Sequence, residues 1–463
     1  MIVAVSNELY HNDLNAQLLL GVAAIALGQA LQNGNGFLAR LAFLWLTIAL
    51  ICACKSVFSQ HLPFPVSKQT LWIILTAGLV LQIFQLLTTI PGWFILPASL
   101  EKLWQYQACV LLGGICALLS LSPRSWFHPL VRRVLIVLVF LAMLVAGVWV
   151  IRALPNPYID VYMFHQSSSA ALLQNDNPYE LSEPNYYGNM NLYGSELVNN
   201  GRMTIGNPYP PLSIYLSSLG YFVAGDIRYS HLAAIILGAV LMVCLRPGRG
   251  ALLGAYIFLF TPRVFLVLEQ SWTEPLVLLL TVAVIWCAIH HPGWRFIALG
   301  LLIASKQYMI LLSPLIVLLI PHNSSRQFWT KAVGWTIGSA FVVTAPLAFQ
   351  NFPAFLWNVG QSQFYQPFRL DSLSYAALYA IRSGQLPSQY ISFGVLIIFL
   401  VLVWRYGQRS PSGFAAAMAL CLGIYFAFSK QAFCNYYFLV VGILSCAMAA
   451  IPTLDNSVNR KST

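Results

Sequence analysis

Charge is what this 463-residue chain has least of: Asp, Glu, Lys and Arg together make up 8%. Soluble domains carry about 25%. A water-facing surface of this length cannot be built from so few charges, which excludes a soluble enzyme, a DNA-binding module and a disordered tail. Nine cysteines are present, but no CxxC pair with partner spacing, and most lie inside apolar runs. That excludes a disulfide scaffold and a zinc framework. Cys434 alone lies near a polar edge. No GxxxxGK[ST] loop occurs, nor a GxGxxG opening a helix, an HExxH or an Asp-x-Asp, so no nucleotide fold, metalloprotease or metal–nucleotide-sugar site is visible. Met1–Asn15 lacks the basic stretch of a cleaved signal peptide. Internal repeats and low-complexity segments are absent.

What is there is hydrophobic: 59% of the chain. Continuous apolar runs of about 16–22 residues recur along its length, enough for crossing about 30 Å of hydrocarbon. Continuity rather than alternation favours helices over a β-barrel. The expected fold is all-α, a polytopic membrane bundle of about 14 transmembrane helices, with 12 as the lower count. The predicted spans are 16–33, 37–56, 70–90, 105–121, 131–152, 229–245, 251–267, 275–290, 296–305, 308–320, 332–349, 390–407, 412–428 and 436–452.

The formal net charge is +11. With both termini cytoplasmic, 14 of the 24 Lys and Arg residues, from Lys55 and Arg124 to Arg460 and Lys461, fall on the inner side. Only Glu8, Asp13 and Asp455 accompany them. The positive-inside rule sets this orientation, and topogenesis accounts for the basic loops without a nucleic-acid partner. The plasma (inner) membrane is the expected location. On this topology the sequon Asn323-Ser324-Ser325 is cytoplasmic and unused.

Two long polar segments fall outside. Loop 153–226 holds six of the 13 acidic residues and is rich in Tyr, Asn and Pro. Asn177-Pro178 and Asn207-Pro208 are turn signals within it. Residues 211–224 predict a short helix lying on the outer leaflet, opened by Pro210-Pro211. Loop 350–389 carries Arg369 and Asp371 and a short helix over 373–382. A third outer patch, 429–437, contains Lys430. The chain divides into extra N-terminal spans (1–122), a core with both outer loops (123–452) and a cytoplasmic tail (453–463).

An ionisable residue at the mouth of a span is a functional hypothesis. Asp160 follows the fifth span among apolar neighbours. A carboxylate there can take a proton from a hydroxyl; capping of a helix over 161–173 accounts for it equally well. His165, five residues on, reads as a second site residue or as a hydrogen-bonded interfacial histidine. An Asp160/His165 metal pair lacks further ligands at metal spacing. Lys306 falls between two apolar segments, and Glu274 sits at an outer turn with Glu269 and Arg263 nearby. Lys306, Arg369 and Lys430 around an acidic loop suit a phosphate leaving group; taken singly, each snorkels or pairs with a nearby acid. Outer aromatics serve as interfacial belts or stack on sugar faces.

Several short pieces occur in order: Asp160-Val161 with Phe164, Ala170-Ala171-Leu172-Leu173, Asn177-Pro178-Tyr179, Tyr209-Pro210-Pro211-Leu212, Thr273-Glu274-Pro275 and Ser305-Lys306-Gln307. With them the chain resembles, over residues 131–452, the GT-C superfamily of integral membrane glycosyltransferases, in its polyprenyl-phosphate-sugar-dependent, mannosyltransferase-like group. The resemblance implies Asp160 as general base, inverting transfer on the outer face, and a lipid-linked donor whose tail lies between helices. It implies Lys306, with Arg369 or Lys430, at the departing polyprenyl phosphate, and makes Tyr209, Glu274, Gln307 and His165 substrate-binding candidates. A glycan, glycolipid or protein would accept the sugar, and no cofactor or metal is called for. Two features depart from the family: four extra spans precede the Asp loop, and Val161 follows Asp160 where a second acid would make a metal pair. A transporter or flippase of a lipid-linked or polar solute is the alternative, although such carriers show repeats and midplane charges. A scaffold subunit of envelope assembly is a third reading.

Overall fold

A computed structural model describes residues 2–59, 66–123, 125–188 and 192–452. The predicted tail 453–463, with Asp455, Arg460 and Lys461, and the inner-side Arg124 lie outside the described residues. The helices in chain order are α1 (Ile2–Gly34), α2 (Arg40–Phe58), α3 (Lys68–Thr88), α4 (Pro97–Leu100), α5 (Leu103–Ser120), α6 (Pro129–Ala153), α7 (Asp160–Leu173), α8 (Pro211–Ala224), α9 (Arg228–Leu245) and α10 (Arg249–Leu259). They continue with α11 (Val264–Glu269), α12 (Glu274–His290), α13 (Arg295–Ile303), α14 (Arg326–Ala348), α15 (Phe352–Phe355), α16 (Ser362–Tyr365), α17 (Tyr375–Ser383), α18 (Ile391–Tyr406), α19 (Pro411–Ala427) and α20 (Cys434–Ala449). A 3-10 helix spans Gln307–Leu319 with Pro314 inside it. The strands among the described residues form one hairpin, β1 (Val198–Asn199) with β2 (Arg202–Met203), between α7 and α8.

Six helices are long and apolar enough to cross a membrane: α1 from Asn12, α2, α3, α5, α6 and α9. A seventh counts if α14 and the bent segment Phe352–Tyr365, turned by 114°, are taken together. Length and composition therefore do not carry the expected count of fourteen. The cause is local. The range 251–267 is two helices, broken at Phe260–Arg263, where Pro262 supplies no N–H to continue the ladder. The predicted 296–305 and 308–320 are separate elements, as expected, but they are a 9-residue α13 and a 13-residue 3-10 helix. Seven more apolar helices run 10–17 residues, at most about 25 Å at 1.5 Å per residue.

Burial sorts these helices into an inner and an outer set. In α2 and α3 only 33% of the apolar window is buried, against 89% in α1. The outward faces of α3, α14 and α18 expose large apolar side chains: Ile73, Phe84, Ile337, Val342, Ile397 and Trp404. Monomeric soluble proteins do not expose apolar surface on this scale, and these long apolar helices are those of a membrane protein. Inside, α10, α19 and α20 are apolar on every side, as buried helices are. Helix α1 packs against α2, α3, α10 and α20, so one core runs across residue 122. Polar side chains join helices within it. Gln29 and Gln85 exchange two amide hydrogen bonds of 2.9 and 2.7 Å, and Ser120 meets Tyr256 at 2.8 Å. All nine cysteines are free thiols, and Cys434 is buried at the head of α20 rather than at an edge.

The described residues of the segment 153–226 are folded. Pro155 and Pro157 prevent α6 from continuing beyond Ala153. Arg228, fully buried at the start of α9, grips Asp226 at 2.6 Å and donates to the carbonyls of Ile151 and Pro155. This ties the ends of α6 and α9 together beneath α7. Helix α17 starts two residues into the predicted 373–382 and ends at Ser383, and α8 matches the predicted 211–224.

Gly300 lets α13 approach α14 closely: a Cβ there would lie 2.1 Å from the Thr336 carbonyl oxygen and 2.0 Å from Ser339 Oγ. Gly300→Ala should therefore destabilise the protein by about 1–3 kcal/mol, while Gly338→Ala, with open space around it, should not. Thermal unfolding of both variants in detergent checks this.

Candidate functional site

One cavity of about 650 Å³ gathers most of the chemically capable residues, within the range typical of ligand sites. Asp160, Tyr209, Lys306, Gln307, Arg369 and Lys430 all line it. His165 and Glu274 do not; they are buried behind the wall.

Asp160 opens α7 after an extended Ile159. Its Oδ1 accepts from the backbone N–H of Val161 at 2.8 Å and from the Tyr187 hydroxyl at 3.2 Å. Its Oδ2 accepts from the Tyr193 hydroxyl at 2.8 Å. The two tyrosine rings stack at 5.7 Å. Burial raises the Asp160 pKa above the usual carboxylate range; the hydrogen bonds oppose that rise without cancelling it. Burial first, and then the Asp160 charge, pushes both tyrosines up, so they stay neutral donors. Asp160 is thus the first residue of α7 rather than its cap, and it lines the cavity as a carboxylate of raised basicity held on three donors.

Lys306 stands at the break before the 3-10 helix. Its Nζ lies 2.9 Å from Glu274 Oε1, donates to Thr273 Oγ1 at 2.7 Å and sits 4.5 Å over the Tyr209 ring. Glu274 Oε1 also accepts from Asn435 Nδ2 at 3.0 Å and from the Tyr308 hydroxyl at 3.3 Å. Glu274 is therefore the counter-ion of the cavity's lysine. The Asn207 side chain accepts from Tyr209 N–H at 2.9 Å and donates to Ser168 Oγ and the Phe164 carbonyl. This turn fixes Tyr209 against α7. The His165 ring packs on Tyr209 at 4.6 Å, and burial, ahead of the charges of His231 and Lys306, drives its pKa well below the ordinary value. Neither ring nitrogen has a hydrogen-bond partner among the described residues. Gln307 donates to the Pro208 carbonyl.

The other two cations are also engaged. Arg369 holds Asp371 through two hydrogen bonds of 2.9 and 2.7 Å and lies over Phe433. Lys430 Nζ donates to the carbonyls of Gln363, Phe364 and Gln366 and to Gln389 Oε1. Of the three, Lys430 alone has no carboxylate beside it, so it brings uncompensated positive charge to the wall. Burial lowers its pKa.

Sequence reasoning passed over several residues that build this site. Tyr187 and Tyr193 hold Asp160. Asn358, fully buried, accepts from the N–H groups of Gly206 and Asn207 and donates to the Tyr179 carbonyl. Asn35, Phe37 and Trp93 bring the N-terminal helices to the cavity wall. The Tyr and Asn richness of 153–226 was the one signal pointing toward the two tyrosines. Among the described residues no group of three or more His, Cys, Asp or Glu side chains gathers.

Two outcomes follow from this geometry. Tyr193→Phe removes a donor to the charged form of Asp160, so the carboxyl pKa should rise further and less of it be ionised at a given pH. Infrared titration of the carboxyl band, assigned with Asp160→Asn, reads this. Lys306→Ala strands Glu274 and should cost about 3–5 kcal/mol of stability, and adding Glu274→Gln should recover part of it. Thermal unfolding of the single and double variants measures both effects.

Compared with known proteins, no family model, no curated protein and no solved structure matches this chain.

Proposed function

We propose that the chain is an integral membrane glycosyltransferase of the GT-C kind. It moves a hexose or pentose from a polyprenyl-phosphate donor to a glycan, lipid or protein acceptor on the outer face of the membrane. One observation carries the reading: a half-buried carboxylate of raised basicity shares a single cavity with three cations. In the proposed step Asp160 takes the proton of the acceptor hydroxyl as its oxygen forms a bond to the anomeric carbon. The bond from that carbon to the phosphate oxygen breaks, and polyprenyl phosphate leaves with the electron pair. Attack opposite the leaving group inverts the centre. Lys430 and Arg369 favour the phosphate charge, with Lys306 over Tyr209 deeper in the wall.

A lipid donor is supported by the cavity's flank. Ile310, Leu311 and Phe393 line it, Ile310 is 61% exposed, and α18 continues the apolar surface outward. In this reading the short helices complete membrane crossings in pairs across their breaks: α10 with α11, and α13 with the 3-10 helix. The count of about fourteen spans and the cytoplasmic termini belong to the same proposal.

The buried Lys306–Glu274 pair, with Glu274 Oε2 lacking a hydrogen-bond partner among the described residues, favours a second reading as an ion-coupled carrier. Membranes bearing wild type or Asp160→Asn, offered labelled polyprenyl-phosphate sugars with total lipid and glycan extract, separate the two. Labelled product should come from wild type alone. Its rate should fall as pH drops through the Asp160 pKa, because only the ionised form accepts a proton. That acid limb should lie above the ordinary carboxylate value of 3.8. Product from Asp160→Asn would remove the base, and no product from either folded protein, with solute flux in liposomes, would leave the carrier.

A further inference from the structure

The five helices ahead of α6 have no part in the chemistry proposed above, yet the links between them reach the cavity. Asn35 and Phe37 come from the turn between α1 and α2, and Trp93 from the link between α3 and α4; all three line the wall. The Phe37 and Trp93 rings stack at 5.6 Å with 22° between their planes. Trp272 meets Trp93 edge to face at 6.5 Å, and Phe433 meets Phe37 at 5.7 Å. From Trp93 the ring contacts continue through Phe94, Tyr158 and Tyr187 to Tyr193, the tyrosine that donates to Asp160. An unbroken aromatic arc thus joins the N-terminal wall to the proposed base.

Two further observations mark this wall as built for a ligand. Trp93 is fixed by backbone: the Glu269 carboxylate accepts the N–H groups of Trp93 and Phe94, both at 2.8 Å. Gly92 allows the approach, since a Cβ there would lie 2.2 Å from Glu269 Oε1. A buried carboxylate is thereby used to hold an indole that remains 38% exposed. Beside it, Asn35 sits at positive φ, and its Oδ1 is buried with no hydrogen-bond partner among the described residues.

We infer that Phe37, Trp93 and Asn35 form a carbohydrate subsite, supplied by the N-terminal helices, that takes a sugar unit of the acceptor. This inference rests on the glycosyltransferase reading. A pyranose or furanose presents a face of C–H bonds, which suits the negative face of an aromatic ring. Its rim presents hydroxyls, and a rotation of the half-buried Asn35 side chain brings its unpartnered Oδ1 acceptor to one of them. The donor's tail needs apolar surface continuous with lipid, which the flank at Ile310 and Phe393 provides; the indole–amide wall suits a polar ring instead. Glu269 acts through Trp93 as a positioning residue.

The test measures binding, without turnover. Protein in nanodiscs is titrated with a panel of mannose, glucose, galactose and arabinose disaccharides, followed by saturation-transfer NMR, and separately with undecaprenyl phosphate. Wild type should bind at least one disaccharide. Trp93→Ala should weaken that binding at least about tenfold, with Trp93→Phe staying within about threefold of wild type. Undecaprenyl phosphate affinity should not change. Asn35→Ala, a smaller alteration, should also weaken the disaccharide, so misfolding of Trp93→Ala, read by thermal unfolding, does not shield the proposal. It is overturned if wild type binds no disaccharide, if neither variant alters binding, or if Trp93→Ala weakens undecaprenyl phosphate as much as sugar. Disaccharide binding through Trp93 in a protein that transfers no sugar would keep the subsite and remove the transferase. Transfer with the acceptor KM unchanged in folded Trp93→Ala and Asn35→Ala would do the reverse.

Discussion

Backbone that leaves a helix inside an apolar bundle must find its hydrogen bonds within the protein or at a cavity. Every part of the candidate site answers to that constraint. The helices break at Phe260–Arg263, Gln270–Thr273, Ala304–Lys306 and Phe428–Phe433. From three of these breaks a side chain reaches the cavity wall: Trp272, Lys306, and Lys430 with Phe433. Freed carbonyls are used in turn. Lys430 O accepts from Arg369 N–H, and Ala432 O from Leu373 N–H, which fastens the segment 350–389 to the break before α20. Broken helices and the cavity are one feature, because irregular backbone is tolerated only where something polar meets it.

Charge obeys the same economy. Desolvating an ion is expensive, and each cation brought to the cavity is answered locally: Lys306 by Glu274, Arg369 by Asp371, Lys430 by three carbonyls. Arg228 with Asp226 and Glu269 with two backbone N–H groups do the same outside the chemistry. Asp160 in the cavity, like Lys430, is met only by neutral groups: two hydroxyls and one N–H. Its charge is supported without being cancelled, which leaves it basic and facing space.

Much of the scaffold was legible before the structure. Apolar runs end where helices end, so α2, α3, α5, α6 and α9 lie within a few residues of their predicted ranges. The same hydropathy overran Pro262, because window averages pass across a break that two or three residues make, whereas the predicted ranges 296–305 and 308–320 already left Lys306 between them. Asp160, Tyr209, Lys306, Gln307, Arg369 and Lys430 were named from position and resemblance and share one cavity. Glu274 turned out to be the partner of one of them, and His165 a buried neighbour of Tyr209. Tyr187 and Tyr193 were not legible as partners of Asp160: they lie 27 and 33 residues away, in a loop with no periodic pattern. The N-terminal helices gave no hint of reaching the site, since Asn35, Phe37 and Trp93 sit in short links resembling any other.

Composition alone determined that this chain is helical and apolar, because 8% charge and recurrent long hydrophobic runs admit few other solutions. It also limited where chemistry can sit, to the few ionisable residues at the ends of runs. Only the tertiary structure decided which of those residues meet and which charges are cancelled. It alone showed that links from the first 122 residues wall the cavity. The physical reason is separation: transfer free energy acts residue by residue and is written along the chain, whereas hydrogen bonds and ion pairs are made between positions that only packing brings together.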